Sequence, residues 1–171
     1  MGALPATEVK ALAKIIGELD YYQLLHLPPD ASASEVKGAF HSTSRNFHPD
    51  AVRHLEPELH EAVEHIAKRV REAYSVLRDA RRRRAYDQNL AEGGGPRMQL
   101  AQATSQAERQ ATEELQGRTP QGRQYFHMAS AALDSGDPQG AVRNLQTALT
   151  FEPGNNHFRE LLEKARKRLS G

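Results

Sequence analysis

Between residues 59 and 77, six apolar side chains recur at alternating spacings of four and three: Leu59, Val63, Ile66, Val70, Ala73 and Leu77. Residues three and four apart share one face of a helix. The run therefore forms one long amphipathic helix, and Tyr74 thickens its apolar face. A seam of this kind packs a helix along a near-antiparallel neighbour. No stretch of the chain alternates apolar and polar residues as a half-buried strand does. The expected fold class is all-α, built on a hairpin of two long helices with short helices laid across it.

The neighbours are legible on both sides. Val9, Leu12, Ala13, Ile16 and Leu19 fall on one face of an N-terminal helix over 7–19, with Thr7 placed to cap it. "DYYQLLHL" (20–27) reads as a short apolar helix stopped by Pro28 and Pro29. "SASE" (32–35) is a capping box, in which Ser32 and Glu35 satisfy each other's free N–H groups. It opens a helix whose inward face is Val36, Ala39, Phe40, Thr43 and Phe47, ended by Pro49. "RDARRRRAYDQNL" (78–90) closes this first half. "AEGGGP" (91–96) then reads as a flexible break.

Residues 97–117 are helix-prone but polar. From Thr119 onward three compact helices follow, the last over 156–169 with basic residues toward its negative end. The expected organisation is an N-terminal extension (1–19), a helical domain (20–90), a linker with a polar helix (91–118) and a small helical module (119–171). The seam from Leu59 to Leu77 needs nothing beyond residue 90, so residues 1–92 should fold alone.

Composition narrows the chemistry. The 171 residues carry 23 basic and 22 acidic side chains, a net charge of +1, whereas a nucleic-acid binder shows a clear basic excess. No cysteine is present, which removes disulfides, zinc–cysteine sites and thiol catalysis, and fits a reducing compartment. No run has the apolar length of a membrane span. The first residues lack the apolar core of a signal peptide, and Ala6 breaks the myristoylation pattern. The expectation is a soluble cytoplasmic protein, with no nucleic acid, no membrane and no cofactor.

Several motifs fall short of a site. In "HEAVEH" His60 and His65 are five apart, so they point round the helix from each other, whereas a zinc helix needs a spacing of four. Arg81, Arg82, Arg83 and Arg84 are consecutive and span most of a helix circumference, not one stripe. "EGGGPR" has glycines, but no strand leads in and no Lys-Ser/Thr follows. His48, Pro49 and Asp50 lack a third group for catalysis, and no enzymatic role is expected.

The surroundings of that tripeptide resemble the J-domain of DnaJ-like co-chaperones at five separated points, over roughly residues 18–90. "DYYQLLHL" is similar to that family's first helix, "ASASEVKGAF" opens the second, and "FHPD" (47–50) is the signature loop. "REAYSVL" (71–77) is similar to the third helix and "RRRAYD" (82–87) to the fourth. The resemblance implies binding to a DnaK-type heat-shock chaperone ATPase and stimulation of its ATP hydrolysis. It also implies a chaperone-binding set of His48, Pro49, Asp50, Lys37, His41, Arg45 and Phe47. Pro49 would stiffen the loop. Asp50 would offer a carboxylate to a partner arginine.

The sequence departs from the family pattern on the second helix. Lys37 and Arg45 remain, but Gly38, Ser42, Asn46 and Ala51 stand at positions that are usually basic, and Thr43 replaces a common leucine. The implied coupling is weak and client-specific, or the cognate chaperone is a different one. The zinc repeats and Gly/Phe stretch of larger DnaJ proteins are missing, so the resemblance is to the class that carries another specificity module.

That module resembles a tetratricopeptide repeat. Tyr125, Met128, Ala129, Ala132, Ala141, Leu145, Ala148 and Pro153 stand at the repeat's signature offsets, and "SGDPQGAV" supplies the turn. One repeat does not bury its face alone, so the helix at 156–169 should cap it. A client or partner protein would meet the face containing Tyr125 and Arg143. The alternative is a protein–protein adaptor whose degenerate J-domain stimulates no ATPase.

Overall fold

A computed structural model describes residues 5–48 and 51–170. Among the described residues the chain forms nine α-helices and no strand: α1 (Ala6–Ile15), α2 (Tyr21–Leu24), α3 (Ala33–Asn46), α4 (Pro57–Leu77), α5 (Ala80–Ala91), α6 (Leu100–Gln116), α7 (Pro120–Asp134), α8 (Pro138–Phe151) and α9 (Asn156–Ser170). The fold class is all-α, as the periodicity requires. Two compact units divide within α6, one running to Ala107 and one from Glu108.

The first unit is organised on α4. Its seam residues Leu59, Val63, Ile66, Val70, Ala73 and Leu77 are all buried, joined by Val76. α3 packs along α4 with Val36, Ala39, Phe40 and Thr43, and α1 packs on α4 as well, through the fully buried Val9 and the adjacent Ile16. Burying an aliphatic side chain of this size contributes about 1.5–3 kcal/mol. Local signals set the boundaries. Asp20 and Ser32 each make a complete capping box, with Gln23 and Glu35 as reciprocal partners. Pro57 occupies the first turn of α4, where its missing N–H removes nothing. The cap at α1 departs from the sequence reading. Pro5 is the capping residue, without a side-chain bond, and the helix ends at Ile15 instead of reaching Leu19.

Beyond α5 the chain stays on the first unit. Gly93 takes a left-handed conformation (φ 79°), with the N–H of Gly94 on the carbonyl of Asn89 (2.8 Å) and that of Gly93 on Leu90 (3.1 Å). These two bonds are a Schellman stop, which favours glycine at this position. The Asn89 side-chain amide then donates to the Gly95 carbonyl (3.3 Å). The glycine run is thus a folded turn, and it delivers Met98 and Ala103 into the core, both fully buried. A fragment ending at residue 92 would lose both.

The second unit centres on α7, α8 and α9. Gly136 (φ 75°) ends α7 with the same pair of bonds, Asp137 N–H to Ala132 O (2.7 Å) and Gly136 N–H to Leu133 O (3.2 Å), and so makes the turn into α8. Ala129, Ala141, Ala148 and Leu145 are buried along the α7–α8 packing, where small side chains let the helices approach closely. α9 covers α8 with Phe158, Leu162 and Ala165. The rings of Phe126 and Phe158 stack at 5.3 Å.

Candidate functional site

The candidate site lies along α3 and the connection into α4. The capping box fixes where α3 begins: Glu35 N–H donates to Ser32 Oγ (3.3 Å), and Ser32 N–H donates to Glu35 Oε2 (2.7 Å). The hydroxyl and backbone N–H of Ser32 hold the Glu35 carboxyl below the usual carboxylate range. With that register Phe40 turns inward and stacks on Tyr74 of α4 at 4.1 Å, nearly parallel. Arg78 lies over the other ring partner, 5.5 Å from the Tyr74 centroid. The opposite face of α3 is left to solvent, and Lys37, His41 and Arg45 are all exposed on it. Arg45 Nε donates to the His41 carbonyl (3.3 Å). Gly38, Ser42 and Asn46 are exposed on the same helix, so the thinning of basic charge falls on its solvent side.

The loop after α3 is anchored from below. Phe47, at the C-cap of α3, is 7% exposed and belongs to the core, with Val52 and Leu55 on the far side of the loop, each 6% exposed. Phe47 therefore positions the loop and presents no ring to solvent. His48 is exposed, and its carbonyl accepts from Ala51 N–H (2.9 Å). Pro49 and Asp50 lie outside the described residues.

The other motifs find internal partners. Asp79 caps α5, accepting from the N–H groups of Arg81 (3.1 Å) and Arg82 (3.0 Å), and these bonds depress its carboxyl. Arg83 donates to Tyr22 Oη and to the Pro29 carbonyl, both at 2.9 Å, and sits over the Tyr22 ring at 5.3 Å. Tyr22 Oη in turn donates to Asp87, and burial followed by that bond raises its hydroxyl pKa. The arginine run is thus partly a tie between α5 and α2. His60 and His65 are exposed on α4, and no group of three or more His, Cys, Asp or Glu able to hold a metal occurs among the described residues. No helix among the described residues is long and apolar enough to cross a membrane.

The family model described as DnaJ domain matches residues 20–87. Residues 20–87 are a DnaJ domain. The match runs from the cap of α2 into α5, and the connection holding His48 lies between the two long helices α3 and α4. Among curated relatives, the chain is 36% identical over 77 residues to "DnaJ homolog subfamily C member 7 homolog" of Dictyostelium discoideum, covering 45% of this chain and 14% of that protein. It is 40% identical over 79 residues to "DnaJ homolog subfamily B member 3" of Homo sapiens, covering 44% of this chain and 52% of the relative. To "Chaperone protein DnaJ" of Thermoplasma acidophilum it is 41% identical over 69 residues, 40% of this chain and 18% of that protein. The chain thus spans from 14% to 52% of the length of these relatives. No solved structure matches it. The DnaJ domain is flanked here by α1 and by the segment through Ala103, which both pack on it and both lie outside the match.

On the second unit, Tyr125 is half-buried on α7 and stacks with Phe151 at 5.9 Å, while Arg143 is exposed on α8. Sequence reasoning missed the residue that braces this unit. Glu152, only 8% exposed, accepts from Thr119 N–H (2.7 Å), Thr119 Oγ1 (3.0 Å) and Asn155 Nδ2 (3.1 Å). Burial alone would raise its pKa, and these donors more than offset that and lower it. The only sequence signal was an acid next to Pro153 at a helix end.

Proposed function

We propose that the chain is a J-domain co-chaperone. It docks on a DnaK-type heat-shock chaperone through His48, Pro49 and Asp50, aided by Lys37, His41 and Arg45 on the exposed face of α3, and it stimulates that chaperone's ATP hydrolysis in the cytoplasm. The observation that carries the reading is the DnaJ-domain match over residues 20–87, a span whose sequence includes His48, Pro49 and Asp50. The burial of Phe47, Val52 and Leu55 on either side of the tripeptide supports it, because flanks fixed in the core have less freedom to lose on binding. Exposed cations on α3 add attraction to an acidic partner surface and speed encounter. The second unit, read as a single tetratricopeptide-like hairpin with α9 as its cap, recruits a client or partner protein through the face that carries Tyr125 and Arg143.

The test is single-turnover ATP hydrolysis by a purified chaperone of this class with and without the full chain. Asp50→Asn should abolish the stimulation while leaving helicity and melting unchanged. Full stimulation by that variant would contradict the reading. A second reading, an adaptor that binds proteins through both units without stimulating an ATPase, is favoured by one observation: Gly38, Ser42 and Asn46 occupy the solvent face of α3 where cations are expected. Chaperone binding without any change in turnover would select it.

A further inference from the structure

The segment that follows the DnaJ domain is bound to it as a ligand is bound to a site. Tyr21 and Tyr86, both fully buried, stack at 4.5 Å and form the cleft. The Tyr21 hydroxyl accepts from Met98 N–H (3.1 Å) and lies within donating distance of both the Met98 carbonyl (2.5 Å) and Glu72 Oε1 (2.7 Å). Tyr86 Oη donates to the Pro96 carbonyl (2.7 Å) and accepts from Tyr21 N–H (2.9 Å). The Met98 side chain is fully buried in the same cluster. Arg97 grips Glu72 with two parallel bonds of 2.8 Å, a bidentate guanidinium–carboxylate pair that selects arginine over lysine. Glu72 is held in place from behind by Arg69, itself 3% exposed, at 2.9 Å. Backbone, apolar side chain and charge are therefore each recognised separately.

We propose that this cleft is a peptide-docking site for an arginine followed by a large apolar residue. In this chain its own Arg97–Met98 occupies it, as a latch that opens and closes without the DnaJ domain unfolding. The inference is independent of the proposed ATPase role. Glu72 stands fifteen residues beyond Pro57 on α4, about 22 Å along the helix from its start, which is the end nearest His48. The recognition loop and the latch thus lie at opposite ends of the same helix, and one is testable without disturbing the other.

Amide hydrogen exchange on the full chain reads the latch directly, since the Met98 and Tyr21 N–H groups both donate to tyrosine hydroxyls of the cleft. Arg97→Gln, which removes a half-exposed side chain and leaves the core intact, should raise exchange at Met98 roughly tenfold while α3 and the first half of α4 stay protected. Arg97→Gln with Met98→Ala should open the cleft further. A labelled synthetic peptide covering residues 94–103 should then bind this double variant at least roughly tenfold more tightly than it binds the wild type, whose cleft is filled. Reversing the peptide's arginine to glutamate should abolish that binding. Free-peptide exchange at Met98 in the wild type would overturn the latch. So would equal peptide binding to variant and wild type, or exchange that rises uniformly across α3 and α4 with Arg97→Gln.

Discussion

Removing the carboxylate of Glu152 isolates how the second unit holds its first helix. Thr119 caps α7 by accepting from Gly122 N–H (2.9 Å), and Glu152 accepts from both the backbone N–H and the hydroxyl of the same threonine. One side chain from the end of α8 thus orients the cap of α7. The site has no spare room, because a Cβ on Gly122 would run into the Glu152 carboxylate. Glu152→Ala leaves the Thr119 N–H without an acceptor in a partly buried place, which costs about 1–3 kcal/mol. Loosening the cap adds a few tenths more. About 2 kcal/mol in a unit of this size corresponds to a fall in melting temperature of about 8–16 °C. The assay is thermal unfolding of the full chain by circular dichroism, with hydrogen exchange assigning each transition to its unit. Only the transition of α7–α9 should move. Glu152→Gln, which keeps one acceptor oxygen, should lose less than Glu152→Ala. A shift under about 2 °C for Glu152→Ala, or an equal shift in the first unit, would refute the clamp.

Other perturbations separate the remaining parts of the account. Burial would raise the Glu72 carboxyl, but hydrogen bonds from Arg97 and Tyr21, with the Arg97 charge and Arg69, hold it down to about 2. A depressed folded-state value means stability present above the usual carboxylate range and lost as pH falls from about 4.5 toward 2, so exchange at Met98 should rise in that window while the melting of α7–α9 follows Glu152 instead. With solvent screening allowed for, the loss should be of order 1–2 kcal/mol. Gly38 is exposed in mid-helix with open space around it, so Gly38→Ala should stabilise the first unit by about 1 kcal/mol in denaturant unfolding. Gly38→Lys with Asn46→Lys should raise ATPase stimulation at low salt, and added salt should erase the gain, because exposed charges are screened beyond about 8 Å at physiological ionic strength.

Much of the architecture was legible because its signals are local. The seam of α4 and the capping box at Ser32 depend only on spacing, and both appear in the structure as read. The buried alanines of α7 and α8 were legible for the same reason. The latch was not. Three glycines before a proline normally mark a free linker, and nothing local says that Gly93 ends a helix or that Asn89 reaches Gly95. The pairing of Arg97 with Glu72 joins residues 25 apart in sequence, and Met98 meets Tyr21 across 77. Glu152 and Thr119 are likewise 33 apart. Polar partners at such separations leave no periodic trace. In the candidate site Lys37, His41 and Arg45 came from the family resemblance, and their exposure is consistent with an inward face of Val36, Ala39, Phe40 and Thr43. Phe47, read on the inward face of α3, is buried at its end.

The central claim is that the segment holding His48, Pro49 and Asp50 acts on a partner ATPase. The most direct measurement is steady-state ATP turnover of a DnaK-type chaperone titrated with the full chain and with His48→Gln, at matched helicity. The account predicts saturable stimulation by the wild type and none by His48→Gln at any concentration. Equal stimulation by both proteins, or none by the wild type at saturating binding, would contradict it.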